Sequence, residues 1–198
     1  MTLLVTWNDQ DPSTVLRQTT DPAEIAEVYQ GFGGRFERIA LRPEVEADTP
    51  SDAVLDAYRD VVDGLIATEG FVTVDVASVH PSDDPGWPDT AKAVRGKFID
   101  EHTHGDDDEI RFMVRGSGVF FLHIGDLVHG VYSVAGDLLG VPRSTWHWFD
   151  CGPAPDFTAI RFFRDPQGWV GVPTGSDISG QFPDFDAMRA RATALAAG

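Results

Sequence analysis

Cysteine is all but missing from this chain: Cys151 is the one example in 198 residues. No intramolecular disulfide can form, so a chain of this length must hold itself with a buried core. Lysine is scarce too, with Lys92 and Lys97 the only two among fifteen basic residues, which face 32 acidic ones. The formal charge of −17 argues against nucleic-acid binding, because phosphate contacts need clustered Lys and Arg. No stretch approaches the roughly eighteen apolar residues that a membrane helix requires, so no membrane association is expected. The opening MTLLVTWNDQ has neither a basic region nor a long apolar run, so no signal peptide is read there. A cytoplasmic, soluble protein is the expectation. Internal repeats and low-complexity runs are also lacking.

What is present is a globular composition, 42% hydrophobic with five Trp and thirteen Phe. Leu3 to Trp7 reads as a strand. TTDPAEIAEVYQGFG predicts a helix with Asp21 as N-cap, Pro22 at its first position and Gly31 as its stop. Arg35 to Leu41 predicts a second strand. SDAVLDAYRDVVDGLIATEG predicts one helix capped by Ser51 and ended by Gly70, with Val54, Leu55, Tyr58, Val61, Val62 and Leu65 on its apolar stripe. Phe71 to Val79 is β-branched and predicts a strand. A short helix is expected at 90–95. Short strands then follow at 97–104, 109–115, 118–124, 127–134, 138–142, 146–151 and 157–164, a spacing that argues for an all-β barrel or jelly roll. A short strand near Trp169 and a terminal helix with Phe185, Met188 and Ala192 inward complete the chain.

The densest chemistry lies in EHTHGDDDEIRF, Glu101 to Phe112. His102 and His104 are one residue apart, so on a strand both point to the same face. Glu109 follows five residues later, after a Gly-Asp-rich turn that can fold it back beside the imidazoles. Two imidazoles and a carboxylate form an N/O donor set suited to Fe, Ni, Mn, Co or Zn. His147 lies forty-three residues after His104, the length that two or three hairpins need to return the chain to the same pocket.

Alternation puts Phe98 and Asp100 on the face of His102, and Glu101 on the opposite one. It also puts Arg111 and Met113 inward with Glu109. An inward guanidinium needs an anionic partner. Arg111 is therefore either a brace against a buried carboxylate or an anion clamp for substrate; Arg161 carries the same two readings. His80, His123 and His129 lack companions at ligand spacing and read as non-ligands, and Cys151 as a packed thiol.

Gly96 stands six before His102, Gly116 seven after Glu109, Gly136 six before Pro142, and Pro142 five before His147. This array resembles the two-motif signature of the cupin superfamily, whose four metal ligands come from two hairpins of a small β-barrel. EHTHGDDDEIRFMVRGSGVFFLHIGD, VPRSTWHWFD and FTAIRFFRDPQGWVGVPTG more closely resemble the bacterial acireductone dioxygenases of methionine salvage. The likeness extends to FGGRFER and AYRDVVDGLIATEGF and covers nearly the whole chain.

The resemblance implies a mainly β fold: a cupin-type double-stranded β-barrel, or jelly roll, with a few flanking helices. It implies one domain over 1–198, with strands and helices of 1–95 packed on a metal-binding core of 96–172, then a loop and helix over 173–198. It implies one Fe(II) or Ni(II) per chain, held by His102, His104, Glu109 and His147. The substrates would be O2 and the acireductone 1,2-dihydroxy-3-keto-5-methylthiopentene. Products would be 4-methylthio-2-oxobutanoate and formate with Fe(II), or methylthiopropionate, formate and CO with Ni(II). Arg111 would help form and hold the substrate dianion. Glu101 falls on a position tied to metal incorporation and Asp108 on one tied to conformational change. Phe98, Phe149, Arg161 and Trp169 match positions that line the substrate pocket. A monomer is expected.

Two departures stand out. Four residues separate His104 from Glu109 where the family has three, which makes Asp108 a rival ligand; Glu109 keeps the spacing to Gly116 and the place before Ile-Arg-Phe. Ser144 stands where many cupins have Gly. Another enediol-cleaving cupin dioxygenase would share the ligands and differ in the pocket, and a non-catalytic ligand-binding cupin would purify free of metal.

Overall fold

The computed structural model describes residues 1–104, 108–166, 168 and 170–197. In chain order the strands are β1 (Leu3–Asn8), β2 (Asp11–Thr19), β3 (Arg35–Arg38), β4 (Thr73–Val79), β5 (His102–Thr103), β6 (Glu109–Ile124), β7 (Leu127–Val134), β8 (Asp137–Val141), β9 (Trp146–Asp150), β10 (Phe157–Phe163) and β11 (Val172–Pro173). The helices are α1 (Pro22–Gly31), α2 (Ser51–Ala57), α3 (Arg59–Glu69), α4 (Trp87–Phe98) and α5 (Phe185–Ala196). No helix among the described residues is long and apolar enough to cross a membrane.

One long strand, β6, belongs to two sheets. Its first half pairs with β8 and β10, in the order β4-β10-β6-β8-β3. Its second half pairs with β7 and β9, in the order β11-β5-β9-β6-β7-β1-β2. The strand changes sheet at Gly116, whose φ of +73° suits glycine, and where a Cβ would sit 1.9 Å from the Asp156 carbonyl oxygen. The two sheets therefore face each other as a mainly β barrel, the architecture the sequence predicted.

Each sheet face has its own apolar cover. Between the sheets lie Leu4, Met113, Phe120, Leu122, Val131, Leu139, Phe149 and Phe157, closed at the ends by Val28 of α1, Phe32 just after it, and Val94 and Phe98 of α4. Outside the β10-β6 sheet, α2 and α3 lay Val54, Tyr58, Val62 and Leu65 on Ile110, Phe112, Ile160 and Phe162. Outside the other sheet, α5 lays Phe185, Met188 and Ala192 on Trp7, Phe121 and Trp148. The strict two-residue alternation of β6 explains the sorting: Arg111 and Met113 point in, while Ile110, Phe112 and Val114 point out under helices.

Several expectations need correction. The helix expected from Ser51 to Gly70 is two helices that meet at Tyr58, whose φ of −111° and ψ of 24° interrupt the spiral. Tyr58 is fully buried, its hydroxyl accepting the Arg42 amide at 2.9 Å, and this tertiary anchor overrides helical continuity. Ser51 is the first helical residue; Pro50 holds the cap position, without a side-chain cap. The strand expected over 97–104 is mostly helix and bend. α4 runs to Phe98, leaving only His102 and Thr103 in ladder pairing. Phe98 therefore reaches the interior from a helix end and not by strand parity with His102. The strands expected at 109–115 and 118–124 are one. β2 was not foreseen: most of its residues are exposed, so it lacks the half-buried alternation that marks a strand. The strand near Trp169 is β11, three residues further on.

His129 faces the inter-sheet layer and shares a 2.9 Å hydrogen bond with the Thr6 hydroxyl. Burial, aided by Arg17, pushes its pKa down to about 4. The folded state thus favours neutral His129. The stability this contributes is complete above the unfolded value of about 6.5 and is lost as pH falls toward the folded value. Urea denaturation should show stability dropping by up to about 3 kcal/mol from this group between pH 7 and pH 4. His129→Gln should lessen that drop; an unchanged slope would mean that other groups carry it.

Candidate metal centre

His102 and His147 are direct register partners on β5 and β9. Their ring centroids are 4.5 Å apart, and the His104 ring lies 4.8 Å from that of His147. One ligand atom from each of the three lies within 4.8 Å of the others. The nitrogen involved follows from the opposite side of each ring. Nδ1 of His102 donates to the Asp100 carbonyl at 2.8 Å, Nδ1 of His147 to the Thr145 carbonyl at 2.8 Å, and Nδ1 of His104 to the Val170 carbonyl at 3.3 Å. A carbonyl only accepts, so each bond fixes the proton on Nδ1 and leaves the Nε2 lone pair facing the centre.

Glu109 stands among these rings at the start of β6, nearly fully buried. Its Oε2 lies against His104 Nε2 and 3.7 Å from His147 Nε2, while Oε1 is paired with Arg111 Nη2. Glu109 Oε2 and His147 Nε2 are buried with no hydrogen-bond partner among the described residues. Buried polar atoms of this kind are costly unless something satisfies them, and a cation between three imidazoles and a carboxylate would.

The charge states suit this. Burial lowers the pKa of His102 and pushes that of His104 down to about 4, so both are neutral at physiological pH. Burial opposes ionisation of Glu109, but the guanidinium of Arg111 and then His104 outweigh it and hold the carboxyl below its usual range. Burial pushes Arg111 down to about 10, which leaves it charged. Three imidazole nitrogens and one anionic oxygen match the borderline divalent metals.

A cavity of about 360 Å³ opens beside His102, Glu109 and His147. Its walls include Arg111 and Arg161 on one side and Phe98, Phe149, Met113 and Phe157 on another. Phe149 is the centre of an aromatic cluster, 4.5 Å from Phe120, 5.5 Å from Phe157 and 6.4 Å from Phe98. The fourth position expected for the pocket wall, Trp169, lies outside the described residues.

Other expected residues sort by position. Asp108 does not line this cavity. Its carboxylate accepts the Arg143 amide at 2.8 Å and pairs with Arg164. Arg161 lines the cavity yet is held by two 2.6 Å hydrogen bonds to Asp75, its register partner on β4. Arg111 has a carboxylate partner in Glu109 and a cavity face, so its two readings coexist. Glu101 points away from the cavity, as parity required. It accepts from His123 Nδ1 at 2.7 Å and Thr174 Oγ1 at 2.7 Å. These two partners escaped the sequence reading; the register of His123 against Trp146, next to His147, was the available signal. Cys151 is packed between the sheets, its thiol pushed up to about 12 by burial.

A sequence profile of the ARD/ARD′ family matches residues 4–171. The chain is 51% identical over 196 residues to an acireductone dioxygenase of Frankia alni, covering 99% of this chain and 95% of that protein. It is 53% identical over 190 residues to one of Saccharopolyspora erythraea, covering 96% and 99%. Among solved structures it resembles an acireductone dioxygenase from Bacillus anthracis with a cadmium ion in its active centre. The TM-score is 0.72 at 24% identity, over 87% of this chain and 98% of that one, and this likeness shows the cupin fold.

If the centre is built as the geometry indicates, His102→Ala, His104→Ala, His147→Ala and Glu109→Ala should each lose tight metal binding, measured as metal per chain after dialysis. Asp108→Ala should keep its metal. The reverse pattern for Asp108 and Glu109 would move the carboxylate ligand by one residue.

Proposed function

The chain belongs to the ARD/ARD′ family, and from that membership we propose that it is a metal-dependent acireductone dioxygenase. It cleaves 1,2-dihydroxy-3-keto-5-methylthiopentene with O2, within methionine salvage in the cytoplasm. The observation that carries the reading is the convergence of three imidazoles with Glu109, of which His102, His147 and Glu109 face a cavity that also presents Arg111. Fe(II) or Ni(II), one per chain, is the expected metal, with His102, His104, Glu109 and His147 as ligands. When bound, such an ion supplies Lewis-acid polarisation of the enediol oxygens.

The protein's own side chains do the rest. Arg111 offers charge-assisted hydrogen bonds to the ionised enediol and so favours loss of its protons. Glu109 keeps that guanidinium oriented toward the cavity through the same carboxylate that faces the imidazoles. Phe98, Phe149 and Phe157 hold the apolar tail of the substrate and exclude water from the electron-rich enediolate. Arg161, tied to Asp75, contributes a fixed positive potential to the wall and not a mobile contact. No nucleophilic Ser or Cys enters, because the enediolate itself reacts with O2. Asp108 and Glu101 support the site from behind, through Arg143 and Arg164 and through His123 and Thr174 respectively.

The experiment is reconstitution of metal-free protein separately with Fe(II) and Ni(II), followed by product identification after adding acireductone and O2. The expected products are formate and 4-methylthio-2-oxobutanoate with Fe(II), and methylthiopropionate, formate and CO with Ni(II). Equal CO from both forms would mean that the pocket, not the metal, sets the cleavage position. Inactivity of both would remove the acireductone reading. Arg111→Met should keep its metal and lose about two to three decades in turnover, equivalent to roughly 2–4 kcal/mol. Unchanged turnover at saturating substrate would leave Arg111 a counter-ion to Glu109 alone.

A further inference from the structure

The cavity has three cations in its lining, and they are not equivalent. Arg111 is buried and Arg161 half-buried. The third is Lys97, in the last turn of α4, which lines the cavity beside Val94 and Phe98 yet is exposed to solvent. Its ammonium lies 5.3 Å from the centroid of the Phe98 ring, and Phe98 is itself a wall residue. The charge therefore sits at the rim, where the aromatic wall meets water.

That position matters because the chain carries a formal charge of −17. An enediol conjugated to a ketone is a vinylogous acid and reaches the protein largely as an anion. A strongly acidic surface repels it, and the repulsion is offset only where a cation stands in the path. Lys92, the other lysine, lies on the same helix but does not line this cavity.

We propose that Lys97 is a substrate-recognition residue: a rim cation that draws the anionic enediolate past the acidic surface and holds its charged end during entry. The inference rests on the acireductone reading above. Lys97 touches substrate at the mouth and takes no part in bond breaking, so it governs capture and affinity, and Arg111 governs turnover.

The test is anaerobic titration of the metal-loaded protein with acireductone, followed by tryptophan fluorescence, with steady-state kinetics in O2 alongside. Lys97→Met should weaken binding about three- to tenfold, Lys97→Glu should weaken it further, and Lys97→Arg should bind like the parent. kcat at saturation should stay within about twofold in Lys97→Met, since the rim charge favours ground state and transition state equally. Raising ionic strength from about 10 to about 200 mM should weaken the parent's binding and close the gap between parent and Lys97→Met, because exposed charges are screened. Lys92→Met should bind like the parent. Parent-like affinity in Lys97→Met, or an equal loss in Lys92→Met, would overturn the proposal while leaving turnover intact. Absence of O2-dependent turnover in the parent would instead remove the reading on which it rests.

Discussion

Backbone carbonyls of Asp100, Thr145 and Val170 each accept the Nδ1 proton of one histidine, and the metal centre depends on those three bonds. An imidazole has one lone pair to give when neutral, and its tautomer decides where that pair points. By consuming the Nδ1 proton locally, the loops around β5 and β9 direct three Nε2 atoms to one spot before any ion arrives. Burial then keeps His102 and His104 neutral, by making an imidazolium expensive. The carboxylate needs the opposite treatment, and Arg111 provides it by holding Glu109 ionised where burial alone would neutralise it.

The same constraint explains why the barrel is layered as it is. A two-residue alternation along β6 must deliver Glu109, Arg111 and Met113 inward. The intervening Ile110, Phe112 and Val114 are then left outside, and would face water without α2 and α3. Strand β9 repeats the problem, since His147 and Phe149 point in and Trp148 points out, under the α5 side of the molecule. The helices thus stabilise the outer faces so that inner positions can carry polar and aromatic chemistry. Gly116 lets one strand serve both sheets and brings the carboxylate of one within reach of the histidines of the other.

Much of this was legible in the sequence. His102, His104, Glu109 and His147 were singled out because ligand chemistry needs particular residue types at spacings that alternation and hairpin length constrain, and the structure groups the three imidazoles with Glu109 beside them. The inward direction of Arg111 and the outward direction of Glu101 followed from parity alone. Parity failed at Phe98, because it assumes a strand and α4 continues to that residue. Tyr58 and β2 were missed for related reasons. A buried hydroxyl that anchors a distant amide has no periodic signature, and an exposed strand lacks the alternation that reveals its kind. The preference for Glu109 over Asp108 had rested on spacing. In the structure Asp108 is engaged by Arg143 and Arg164. Arg161 was ambiguous because its partner, Asp75, sits on a strand more than eighty residues earlier, beyond any local pattern.

The claim on which the account turns is that three Nε2 atoms and one Glu109 oxygen hold the metal. X-ray absorption on the Ni(II)-loaded protein tests it most directly, because the multiple-scattering pattern of imidazole counts histidine ligands. The account predicts three imidazoles, with a first shell of nitrogen and oxygen only, at about 2.0–2.2 Å. Replacing Glu109 by Gln should remove its carboxylate oxygen from the shell and leave the three imidazoles in place. Two imidazoles or fewer, or a sulfur scatterer from Cys151, would contradict it.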